Sequence, residues 1–83
     1  MAELRTHELK TWPAEFQAVM DGKKNFDIRA KDRDFQVGEF LTLKEYNPES
    51  KEYTGRVCAR EIIFIMEGGK FGVQEGYVAM SIK

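Results

Sequence analysis

Phe16, Val19 and Met20 fall at i, i+3 and i+4, the apolar stripe of a short amphipathic helix. Pro13 stands where such a helix would begin, a position at which its missing N–H costs no hydrogen bond. Gly22 follows the last apolar residue with Lys23 and Lys24 close behind. That arrangement suits a left-handed C-cap and cations at the negative end of the helix dipole. Ahead of the helix, His7 to Lys10 is a segment of mixed polarity that reads as a first strand. Behind it the period changes from helical to two. Asn25 to Ala30 alternates, with Phe26 and Ile28 on one face and Asn25, Asp27 and Arg29 on the other, as a half-buried strand does. Asp32 to Asp34 reads as a polar loop. Phe40 to Tyr46 is a further strand, with Leu41 and Leu43 pointing one way.

Asn47-Pro48-Glu49-Ser50 is turn chemistry. A longer strand follows from about Tyr53 to Met66, whose Ile62 to Met66 end is apolar on both faces, as in a central strand or one wrapped into a barrel. Gly68 to Gly72 reads as a flexible loop, and Tyr77 to Ile82 as a last strand. One N-terminal helix and about five strands, joined by connections mostly too short for crossover helices, predict an α+β, mainly β domain. The expected form is an antiparallel sheet curled into a small β-barrel with the helix packed against it. Residues 1–83 read as a single domain without repeats, low-complexity segments or linkers.

Composition narrows the function classes. A chain of 83 residues buries about 60 to 65 per cent of the surface its unfolded form exposes, so its core is small and a large active-site cavity has no room. The net charge is −1, which argues against broad coating of nucleic acid, since such binding draws on many phosphate contacts. Any nucleic-acid contact is expected to be local. Cys58 is the lone cysteine, so no internal disulfide forms. Nothing resembles a signal peptide or a membrane-spanning run, and a cytoplasmic protein of a reducing compartment is expected. His7 is the one histidine and no zinc-like spacing exists, so neither metal nor cofactor is expected.

Charge density singles out one stretch. Between Lys23 and Asp34 lie five basic and three acidic side chains, at the junction of helix and strand. Lys24, Asp27 and Arg29 could gather there to hold a phosphate or a polar base edge, or to do acid/base work were the lysine buried. Equally, Asp27 and Arg29 could pair along the strand with Lys24 solvated. Asp32 reads as a backbone cap, whereas Arg33 offers a fork suited to phosphate. Trp12 is either a stacking platform for a base or a hydrophobic staple at the helix start. His7 is either a hydrogen-bonding side chain near the site or a structural one. The glycines around Phe71 lack the ending of a phosphate-binding loop, and Ser50, Ser81 and Cys58 have no evident base partner.

Gly22-Lys23-Lys24-Asn25-Phe26-Asp27-Ile28-Arg29 resembles the G-x-K-x-x-E-x-R signature of ASCH domains (activating signal cointegrator homology), with Asp27 where that family usually has glutamate. His7 to Lys10, Pro13, Phe16, Asp32 to Gly38 and Gly76 to Val78 extend the likeness to a compact bacterial and phage subfamily. The resemblance implies a PUA-like barrel with a helix beside a cleft, and RNA or nucleotide, single-stranded or modified, as the cleft's partner. It makes Lys24, Asp27 and Arg29 cleft residues, with Arg33 and His7 as neighbours. An enzymatic branch of the same superfamily deacylates a modified cytidine, using a lysine at the position of Lys24, a threonine at that of Asp27 and a distant glutamate. Asp27 cannot serve as that hydroxyl nucleophile. The alternative to a binding module is therefore a small amidohydrolase in which Lys24 works with a carboxylate such as Glu45, Glu67 or Glu75.

Overall fold

A computed structural model describes residues 4–83. The elements run β1 (Thr6–Thr11), α1 (Pro13–Met20), β2 (Phe26–Ala30), β3 (Phe40–Asn47), β4 (Glu52–Glu67) and β5 (Tyr77–Ile82). The fold is α+β and mainly β, with one short helix, as the alternating patterns predict. The Gly22 cap forms as the sequence suggests. The Gly22 amide donates to the Val19 carbonyl and the Lys23 amide to that of Ala18, with Gly22 at φ 74°, the hydrogen-bond pair of a Schellman motif.

The sheet departs from the expected antiparallel barrel in two ways. Its order is β1-β3-β4-β5-β2, and β1 pairs with β3 in parallel, His7 opposite Leu41 and Leu9 opposite Leu43. Parallel neighbours need a long crossover, which α1 and β2 together supply. The second departure is that the sheet does not close. β1 and β2 are its two edges and share no strand pairing. β4 bends the sheet, pairing with β3 up to Glu61 and with β5 from Ile62, with a register shift between Ile62 and Phe64. A shift of this kind kinks a strand and raises its local twist.

Inside the curl lies the core of Leu9, Phe16, Val19, Leu41, Leu43, Ile62, Val78, Met80 and Ile82. The helix contributes Phe16 and Val19. Arg56 of β4 clasps it from outside, its guanidinium 4.9 Å from the Phe16 ring and its Nη2 donating to Gln17 Oε1 at 3.1 Å.

β2 is the surprise. A half-buried strand ordinarily turns its apolar face inward, yet Phe26 and Ile28 are 49 % and 51 % exposed while Asp27 is 1 % exposed. The apolar pair joins Phe64 and Met66 on the outer surface of the sheet, where Phe26, Phe64 and Met66 border a shallow hollow. The loop from Gly68 is likewise tighter than a flexible linker. The Gly68 amide donates to the Tyr77 carbonyl at 2.8 Å, and a Cβ there would fall 2.0 Å from the Gln74 carbonyl oxygen, so only glycine fits.

Candidate functional site

Asp27 can be buried because its charge is matched. Arg29, two residues on and on the same face of β2, donates from Nε to Asp27 Oδ1 at 2.5 Å and from Nη2 to Oδ2 at 3.5 Å. The helix cap fixes the third member: reversing the chain at Gly22 brings Lys24 Nζ to 3.8 Å from Asp27 Oδ2. Buried carboxylates persist when paired and hydrogen-bonded. Arg29 Nη2 also donates to Thr11 Oγ1 at 3.3 Å, so the guanidinium spans the gap between the sheet's open edges.

A hollow of about 270 Å³ opens over this cluster, between the start of α1 and β2, and Trp12, Glu15, Lys24 and Arg29 wall it. Trp12 occupies the N-cap position of α1 without a side-chain capping bond and is 59 % exposed. It lines the hollow and is far more exposed than a residue packed as a hydrophobic staple. Among the described residues, Arg29 Nη1 and Lys24 Nζ make no hydrogen bond at all. Two cationic donors thus face the hollow from a rigid base, beside an exposed indole. That combination fits an anionic group attached to a flat ring.

Arg33 lies next door. It lines a neighbouring hollow of about 410 Å³ with Lys10, Arg29 and Tyr53, and its Nε donates to Asp32 Oδ1 at 3.3 Å. Asp32 therefore receives a side-chain bond and does not act as the expected backbone cap. A third hollow, of about 380 Å³, holds Lys31 and Glu67 paired at 2.9 Å, leaving no cation there without a partner.

His7 is not a cleft residue. It is buried at the opposite end of β1, where its Nε2 meets Glu39 Oε1 at 2.7 Å and its ring lies 4.7 Å from that of Phe35. Glu39 is also buried and accepts hydrogen bonds from the Arg5 and Gln36 amides. Burial pushes its carboxyl up, but the His7 bond, the two amides and the His7 charge outweigh that and hold its pKa below the ordinary value. This knot ties the loop before β3 to β1. Cys58 is half-buried, and burial raises its thiol pKa despite Arg60 and Arg56 nearby, leaving it a poor nucleophile.

Of the carboxylates considered for hydrolysis, none walls the Lys24 hollow. Glu45 is buried against Thr54 Oγ1 at 2.6 Å and near Arg56 at 3.7 Å, Glu67 pairs with Lys31, and Glu75 lies exposed in the loop before β5. The carboxylates that do wall it are Asp27 and Glu15. Sequence reasoning missed Thr11, Glu15 and Glu39. The signal for Thr11 was available, since His7, Leu9 and Thr11 share the inward phase of β1.

Residues 6–82 match the model of a family described as a domain of unknown function, DUF3850. A stretch of 42 residues is 38 % identical to an uncharacterized 12.9 kDa protein in the GpA 3′ region of Escherichia phage P2, covering 51 % of this chain and 38 % of that protein. No helix among the described residues is long and apolar enough to cross a membrane.

Proposed function

The chain belongs to the DUF3850 family, and from the cleft it carries we infer that it is a binding module for RNA or a nucleotide. The observation that carries this reading is the pairing of Arg29 and Lys24, both fixed by the buried Asp27, with the exposed Trp12 on the wall of one hollow. Asp27 is a positioning residue. Both its oxygens face Arg29 and Lys24, and it aims the two cations from the wall of the hollow. The cations suit a phosphate and the indole a base. Single strands and loops are the matching targets, because their bases can be splayed onto aromatic side chains. The resemblance of Gly22, Lys24, Asp27 and Arg29 to the ASCH signature supports the same assignment, and with it a PUA-like ancestry for the sheet.

A hydrolytic reading would have to rest on Lys24 with Glu15. Glu45, Glu67 and Glu75 lie elsewhere, and the threonine of the enzymatic relatives is absent.

Trp12 is the chain's single tryptophan and so an intrinsic reporter. Titration with nucleoside monophosphates and short single-stranded RNAs should quench its fluorescence saturably, and Lys24→Ala or Arg29→Ala should each cost about 1 to 3 kcal/mol of that affinity. Unaltered affinity in both variants would make the motif purely structural. N-acylated cytidine belongs in the same panel, where release of free acid would favour hydrolysis.

A further inference from the structure

The Lys24 hollow does not end at Arg29. Lys10 and Arg29 wall both it and the larger hollow beside it, so the two form one groove along the open seam between β1 and β2. Tyr53, 49 % exposed, walls the larger hollow. Its ring is held edge-on by Tyr46 at a centroid distance of 5.1 Å, with Lys44 Nζ 4.9 Å from its centroid. A ring immobilised in this way loses little further freedom when a flat ligand stacks on it. Arg33 borders the same hollow, its Nε bonded to Asp32 and its guanidinium 5.9 Å from the centroid of the Phe35 ring, while its two Nη atoms make no hydrogen bond among the described residues. Trp12 and Lys24 wall the smaller hollow, Tyr53 and Arg33 wall the larger one, and Arg29 walls both.

Building on the nucleotide-binding reading, we propose that Tyr53 and Arg33 form a second nucleotide subsite. The natural ligand is then a single-stranded polynucleotide, bound two residues at a time. One exposed ring in each hollow with a guanidinium on their shared wall matches two bases joined by a phosphate. One base stacks on Trp12 and the next on Tyr53. The phosphate between them sits at the shared wall, where Arg29 Nη1 has no hydrogen-bond partner among the described residues, and a flanking phosphate meets Arg33. The backbones of β1 and β2 exchange no strand pairing along this line, and the Arg29–Thr11 hydrogen bond crosses the gap between them.

The test compares nucleoside 5′-monophosphates with 5′-phosphorylated dinucleotides of the same base, in ribo and deoxy forms, each titrated against the whole chain by Trp12 fluorescence. The dinucleotide should bind at least about tenfold tighter than the monophosphate, the return expected from one further stacked base. Whether the ribo or the deoxy form shows this advantage tells RNA from single-stranded DNA. Tyr53→Ala and Arg33→Ala should abolish the advantage and leave monophosphate affinity unchanged, while Tyr53→Phe, which keeps the ring, should retain it. Equal binding of monophosphate and dinucleotide in both forms, or a dinucleotide advantage that survives Tyr53→Ala, overturns the second subsite and leaves the Lys24 reading standing. Absence of binding by either ligand overturns both.

Discussion

Arg29 and Thr11, on the two edge strands of one sheet, are joined by a hydrogen bond from Nη2 to Oγ1, although their strands exchange no backbone pairing. A single side-chain contact does at this point what a ladder would do in a closed barrel. Thr11→Val keeps the shape and removes the acceptor. It should lower unfolding free energy by about 0.5 to 1.5 kcal/mol, read as a shift in urea midpoint, and speed amide exchange at the ends of β1 and β2. An unchanged midpoint would mean that the seam is held elsewhere.

Asp27 and Lys24 should separate stability from binding. Removing Asp27 strands two cations over a buried site, and Asp27→Ala should cost about 3 to 5 kcal/mol of stability, as breaking a buried pair does. Lys24 is 18 % exposed and 3.8 Å from its partner, and Lys24→Ala should cost no more than about 1 kcal/mol while nucleotide affinity falls. Equal destabilisation by the two variants would contradict the positioning role given to Asp27.

Glu39 should give stability a dependence on acid. Against the raising effect of burial, the His7 bond and the Gln36 and Arg5 amides hold its carboxyl pKa below its ordinary value in the folded protein, so the folded state holds the charged form more firmly than the unfolded chain does. That stabilisation is fully present above the unfolded carboxyl value, about 4.3, and is lost as pH falls through the lower folded value. Glu39→Gln should therefore be destabilised near neutrality, and its deficit against the native protein should shrink as pH falls below about 4. Denaturant melts at a series of pH values would show it. A deficit independent of pH would assign the effect to shape alone.

Salt should affect binding only mildly. Across the two hollows four basic side chains face four carboxylates, so affinity is expected to come from directed donors and stacking more than from bulk charge. One or two phosphate contacts on a single strand give a slope of log affinity against log salt of about −0.7 to −1.4. A slope several times steeper would point to a broad basic surface not described by this groove.

The elements of the fold were readable in the chain because their signals are local. Phe16, Val19 and Met20 spell the helix, Gly22 its end, and the period-two runs the strands. The inversion of β2 was not readable. Alternation tells which residues share a face but not which face goes inward, and the usual rule failed because Asp27 and Arg29 satisfy each other while Thr11, eighteen residues from Arg29, completes the set. Parallel pairing of β1 with β3 leaves no local mark either, and the knot of His7 with Glu39 joins residues thirty-two apart. The site was legible as a motif and its architecture was not. Lys24, Asp27 and Arg29 do converge, whereas Trp12 as a cleft wall, His7 as a structural residue and Tyr53 as a neighbour follow only from three-dimensional placement.

β2 is attached to the sheet through β5, its one strand partner among the described residues, along Phe26 to Ala30 against Tyr77 to Ser81. Trp12, Lys24, Asp27 and Arg29 are translated well before β5, the strand that anchors Asp27 and Arg29 in the sheet. The cleft therefore cannot assemble until β5 has left the ribosome. A chain truncated before Tyr77 would carry the complete Gly22-to-Arg29 motif without the strand that holds it in the sheet.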